Sequence, residues 1–212
     1  MSQIVRWLML GTVMLCIVAT ARASELAALE ISPSLPGAEH VFSGWRQAAP
    51  VPRTQQVSLE VGDEIYGAFL RLTPRDAGGE YRVRVQFETS LAVGDDGPHI
   101  DLVDWKHCVS EWKLADTAGQ FMFVLPAPNE QESGCFPSVR ATDITAATRA
   151  ALVREGMEDS VSHWLGLLAP VSKAGDHPTY VGISKVRMRV EALRKGQWVE
   201  VTTVEFLMPL GC

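Results

Sequence analysis

KVRMRVEALRKGQWVEVTTVEFLM, residues 185–208, is the stretch on which the fold class turns. Val186, Met188, Val190 and Ala192 alternate with Arg187, Arg189 and Glu191. That period of two belongs to a strand with one buried face. After the polar break at Gly196, Val199 and Val201 alternate with Glu200 and Thr202, so the unit reads as a β-hairpin. Lys195-Gly196 lacks the Asn or Asp that best tolerates two successive positive φ angles, which leaves a two-residue turn and a three-residue turn with Gly196 left-handed both open. Past Val201 the apolar phase moves to Val204, Phe206 and Met208. One extra residue at Thr202 or Thr203 restores the register, as in a β-bulge.

Outward from this hairpin, the chain's first 23 residues read as a cleavable secretory leader: Arg6, an apolar run, then Ala21-Arg22-Ala23 before Ser24. An uncleaved anchor is disfavoured because the apolar run falls short of the roughly 20 residues a span needs. A lipid-modified Cys16 is disfavoured by the bulky Leu15 before it and by the apolar run continuing beyond it. The expected location is therefore periplasmic or secreted. No later segment is long and apolar enough for a transmembrane span. The net charge is −6, and loss of Arg6 and Arg22 with the leader takes it to −8. So acidic a surface repels phosphate backbones, which argues against nucleic acid as a partner. The only asparagine, Asn129, sits in NEQ and forms no glycosylation sequon. With arginine far commoner than lysine and alanine abundant, the composition leans towards a bacterial envelope protein.

Residues 24–53 are punctuated by Pro33, Pro36, Pro50 and Pro52 and read as an extended lead-in, in which VFSGWR can form a short edge strand with Trp45 against the sheet. Residues 54–212 read as a single β-rich domain, long enough to bury a core. QQVSLEV and EIYGAFLRL are expected strands. In the next, Tyr81, Val83, Val85 and Phe87 share one face, with Arg82, Arg84, Gln86 and Glu88 on the other. CVSEWKLADTAGQFMFVL reads as a second hairpin about a turn at residues 116–119, with Leu114 facing Phe121 and Trp112 facing Phe123. PAPNEQESGCFPS reads as a loop. TDITAATRAALVREG reads as a helix capped by Thr142 or Asp143 and stopped by Gly156, and SVSHWLGLLAP leans helical. The fold class is thus a mainly antiparallel β-sandwich of seven to nine strands, with a one- or two-helix insertion near residues 142–169.

Without the leader, three cysteines remain. Cys108 and Cys135 flank the second hairpin and are the expected disulfide, with Cys212 left over. His107 neighbours Cys108, but strand neighbours point to opposite faces, which disfavours a catalytic thiolate.

Asp95, Asp96, His99, Asp101, Asp104 and His107 form the densest polar cluster. Carboxylates and imidazoles suit a metal or an acid–base pair, with His99, Asp101 and His107 the candidate ligands; yet the spacing matches no metal motif, and a turn followed by a solvated strand face accounts for the same residues. Ser110 and Lys113 match a bare S-x-x-K, but on a strand they face apart. No GxSxG, P-loop or GxGxxG occurs, so no cofactor is called for.

The arginine spacing offers a different candidate. Arg82 and Arg84 share one strand face, as do Arg187 and Arg189, and adjacency of the two strands makes a cationic patch suited to a carboxylate, phosphate, sulfate or acidic protein. The plainer reading has these arginines answering Glu88, Glu191, Glu200 and Glu205 across strands, with Glu191 and Glu200 opposite one another. Functionally, the expectation is a non-catalytic binding or interaction protein of the envelope, of the inhibitor, immunity or accessory kind, whose partner is another protein or an anionic envelope ligand. An exported hydrolase or metal-dependent enzyme using the His99/Asp101/Asp104/His107 region, and a structural or assembly subunit, are the alternatives.

Overall fold

The computed structural model describes residues 25–32, 42, 44–94 and 97–210. The expected leader, Asp95, Asp96 and Cys212 lie outside the described residues. The strands are β1 (Leu26–Ser32), β2 (Trp45–Ala48), β3 (Thr54–Ser58), β4 (Phe69–Pro74), β5 (Tyr81–Gly94), β6 (His99–Asp101), β7 (His107–Val109), β8 (Lys113–Leu114), β9 (Asp116–Gly119) and β10 (Met122–Val124). Helices α1 (Glu130–Ser133), α2 (Ala141–Arg154) and α3 (Val161–Leu167) follow, and β11 (Thr179–Arg194) and β12 (Gln197–Leu207) complete the described chain.

The chain is mainly β, in two sheets. The smaller has the order β2-β1-β4-β10-β9; the larger runs β3-β12-β11-β5-β6, with β7 and β8 also on β5. Pairing is antiparallel except between β3 and β12, which are parallel. Among the described residues there are twelve strand segments against the expected seven to nine, in part because the outer margin of β5 is occupied in turn by three short strands, not one.

The alternation in β5 and β11 determines how the sheets stack. Val83 pairs with Val190, Val85 with Met188 and Phe87 with Val186, and all six are at most 1% exposed. Facing them from the smaller sheet are Leu29, Ile31, Leu70, Leu72 and Phe123, in one core with Val204 and Phe206 of β12. Fully burying each such side chain is worth about 1.5–3 kcal/mol, so the stacking of the sheets is the dominant stabilising event. β5 and β11 run on beyond the sandwich. There Leu91, Val93, Ile100 and Leu102 are covered by Ile144 and Leu152 of α2 and Trp164 of α3 in a second core. The helical insertion thus closes the protruding end of the larger sheet.

One local reading left open is decided, and several others are corrected. Arg194 pairs with Gln197, leaving Lys195 (φ 50) and Gly196 (φ 79) as a two-residue turn with both residues left-handed. The extra residue in β12 is Val201, one position before the expected site: Val190 pairs with Thr202, and Glu191 with Glu200. Thr202 therefore turns inward, fully buried, and its hydroxyl donates to the Pro52 carbonyl at 2.7 Å, while Val199 is left 50% exposed.

The second hairpin does not form as expected. Lys113 and Leu114 pair with Val85 and Arg84 of the larger sheet, and the Ala115 N–H donates to the Val83 carbonyl before the chain crosses to the smaller sheet. There Asp116 pairs with Val124 and Thr117 with Phe123, around a turn at Gln120 and Phe121 (φ 59). The expected Leu114–Phe121 and Trp112–Phe123 pairs were each worth roughly 0.2–1 kcal/mol. Placing Phe121 edge-on against Tyr81, at 5.9 Å between ring centroids, joins it to the main core instead, a larger gain.

α2 begins earlier than expected, with Arg140 at the N-cap. Asp143 lies in the first turn and accepts from the Arg140 guanidinium at 2.8 and 3.0 Å. Its end is as read: Gly156 is left-handed and the Met157 N–H returns to the Leu152 carbonyl. The stretch at Asn129, read as loop, holds α1, started by a reciprocal cap between Asn129 and Glu132. The lead-in also contributes more than an edge. β2 is the expected edge strand, with Trp45 edge-on to Phe206, but β1 is an interior strand of the smaller sheet.

Candidate functional site

The antiparallel pairing of β5 with β11 brings the four arginines together on the outward face of the larger sheet. Arg82 stands opposite Glu191, Arg84 opposite Arg189, and Gln86 opposite Arg187. Because the inward partners of these residues are the core valines and Met188, none can leave this face without a slip of register. β12 adds Glu205 opposite Arg187 and Glu200 opposite Glu191.

Most of these charges are paired. Arg82 meets Glu191 at 2.5 Å, Arg189 meets Glu200 at 3.0 Å, and Arg187 bridges Glu88 at 2.6 Å and Glu205 at 3.0 Å. Lys185 also reaches Glu88, at 3.1 Å. Glu88 and Glu191 are only 4% and 6% exposed, and removing either one's cations would leave a nearly buried carboxylate without a partner. A hydrogen bond from Gln56, reinforced by Arg187, holds the Glu205 carboxyl below its ordinary range. Arg84 differs: among the described residues it has no ion pair, and the side chain across from it is another arginine.

Aromatic and apolar side chains border this ladder. The Arg82 guanidinium lies 4.4 Å from the Trp198 ring centroid and that of Arg189 lies 4.2 Å from Trp112. Leu114, opposite Arg84, is 62% exposed, and Val109, opposite Glu88, is 40% exposed. On the other side of the ladder, β3 presents polar Thr54, Gln56 and Ser58. Beyond Glu88 and Lys185 the face opens into a groove of about 450 Å³, also lined by Ser58, Asp104, Ser184 and Met208.

Sequence reading placed neither tryptophan at this site: Trp112 was expected to face Phe123, and Trp198 was given no role. Trp198 was legible once the turn is two residues long, since it then falls opposite Leu193, one outward rung beyond Glu191 and Glu200. The link from Trp112 to Arg189 follows only from the crossing of the chain between sheets.

The described members of the polar cluster, His99, Asp101, Asp104 and His107, are divided. His99 Nε2 and Asp101 Oδ1 are 3.4 Å apart on β6, and Asp101 also accepts from the Leu210 N–H at 3.3 Å. Burial raises the Asp101 pKa, partly offset by His99 and by that backbone bond. Asp104 instead faces Arg154 at 3.7 Å, and His107 sits exposed on β7 opposite Ser90. Among the described residues no three His, Cys, Asp or Glu side chains are grouped so as to hold a metal ion.

Cys108 and Cys135 form the expected disulfide, tying β7 to the segment after α1. Among the described residues no helix is long and apolar enough to cross a membrane. Compared with protein-family models, with curated proteins and with solved structures, the chain matches none.

Proposed function

We propose that the protein is an exported, non-catalytic binding protein of the bacterial envelope, of the inhibitor, immunity or accessory kind, which holds an acidic protein or another anionic ligand on the Arg82/Arg84/Arg187/Arg189 face. The observation that supports this reading is Arg84: a guanidinium opposite Arg189 that, among the described residues, has no carboxylate of its own, in a face where the other arginines are paired. A guanidinium in that setting offers a directional pair of donors to a carboxylate, phosphate or sulfate.

Replacing all four arginines is a poor test, because Arg82 and Arg187 sustain nearly buried carboxylates. Arg84→Glu removes no member of an observed ion pair. Immobilised protein and its Arg84→Glu variant are exposed to envelope extract and the retained proteins identified by mass spectrometry. The expected result is a partner held by the first and lost by the second. Identical retention by both removes this face as the site.

A further inference from the structure

Among the described residues, the outward positions of β5, β11 and β12 carry five cations, Arg82, Arg84, Lys185, Arg187 and Arg189, against four carboxylates, Glu88, Glu191, Glu200 and Glu205. Every one of those carboxylates is engaged by a cation other than Arg84. The surplus positive charge is therefore located at one residue. Two like charges directly opposite on adjacent strands destabilise a sheet, and Arg84 and Arg189 stand in that relation. A carboxylate supplied from outside relieves it.

The immediate surroundings narrow the occupant. On the side of Arg84 away from Arg189 lies Leu114, 62% exposed, with Val109 further along the same margin and Trp112 laid over Arg189. A small hydrated anion gains nothing from covering leucine, valine and tryptophan. A protein segment carrying an apolar residue beside an acidic one fits both features, and arginine and tryptophan, here Arg84 with Trp112 close by, are among the side chains enriched at energetically dominant interface centres. Resting on the binding role proposed above, we infer that the partner is an acidic protein segment that sets a carboxylate on Arg84 and an apolar side chain against Leu114 and Val109.

The test uses three synthetic peptides of equal length, one alternating Glu and Phe, one Glu and Ser, one Lys and Phe, together with inorganic sulfate. Each is titrated into the full-length protein and followed by tryptophan fluorescence and by calorimetry. The expected result is binding of the Glu/Phe peptide alone, weakened about tenfold or more in Arg84→Gln and in Leu114→Ser. Arg71→Gln, an exposed arginine of the smaller sheet, leaves it unchanged. Circular dichroism confirms that each variant is folded. Equal affinity for the Glu/Ser peptide or for sulfate, still lost in Arg84→Gln, overturns the inference while leaving an anion-binding face. No binding by any peptide overturns it too. The wider reading falls separately, if retention from envelope extract is insensitive to Arg84→Glu.

Discussion

Glu191 on β11 and Glu200 on β12 stand directly opposite one another, two carboxylates on one rung, each answered by an arginine from a different direction: Arg82 of β5 at 2.5 Å and Arg189 of β11 at 3.0 Å. The like-charge rung is tolerable only because β5, β11 and β12 are adjacent.

Removing one cation should therefore expose the repulsion. Arg82→Gln leaves Glu191, 6% exposed, without its cation and facing Glu200, and is expected to cost about 1–3 kcal/mol. Arg82→Gln combined with Glu191→Gln should recover most of that loss. Urea midpoints for the two singles and the double supply the cycle, and an unchanged midpoint in Arg82→Gln would show that the pair is not supporting the carboxylate.

The turn of the C-terminal hairpin makes a prediction of opposite sign. Lys195 holds φ 50, a left-handed conformation that costs an ordinary side chain about 1 kcal/mol and Asn much less. Lys195→Asn should raise stability by roughly 0.5–1 kcal/mol. Thermal unfolding gives the answer, and a lowered midpoint speaks against the two-residue turn.

Asp101 links stability to pH. Burial raises its folded pKa above the unfolded value near 3.8, so the folded state holds its proton more tightly. Below pH 3.8 both states are protonated and nothing is lost; as pH rises through the folded pKa, the ionised form penalises folding, and the penalty persists at neutral pH. Asp101→Asn keeps an acceptor for the Leu210 N–H and should be more stable than the parent at pH 7, with the difference closing towards pH 3.5. A difference independent of pH would contradict this.

Glu205 runs the other way. Its folded pKa is depressed, by the Gln56 hydrogen bond first and Arg187 second, so its contribution is complete above the ordinary value of 4.5 and is lost as pH falls through the folded pKa. Glu205→Gln should flatten acid unfolding in that window while lowering stability at pH 7. Urea unfolding across pH 2.5–7 measures both, and parallel curves for variant and parent would remove Glu205 from the acid transition.

The Cys108–Cys135 bridge closes a sequence separation of 27 residues, worth about 3–4 kcal/mol in chain entropy. Cys108→Ser with Cys135→Ser should lower stability by that order, and the parent under reducing conditions should match the double variant. A parent insensitive to reductant would place the stabilisation elsewhere.

What the sequence determined by itself is periodic or local. The alternation at 81–88 and 186–192 settles which residues face the core, because a strand has only two faces and apolar side chains demand one of them. The left-handed Gly156 ends α2 where a glycine must, and the cysteine spacing indicated a bridge that the chain closes. The opposition of Glu191 and Glu200 was legible on the two-residue turn, one of the two that Lys195-Gly196 left open, since a hairpin's register follows from its turn. The tertiary structure alone decided what depends on a third partner. Val201, not Thr202, is the extra residue because a buried threonine at 202 has the Pro52 carbonyl to bond, and Pro52 is distant in sequence. Trp112 lies on Arg189 because the chain crosses between sheets at Ala115, where burial of Phe121 outweighs a local hairpin. Arg84 was one of four equivalent arginines in sequence; only the pairing of β5, β11 and β12, which engages the four carboxylates of these strands with its neighbours, leaves it, among the described residues, the one of the four without an ion pair.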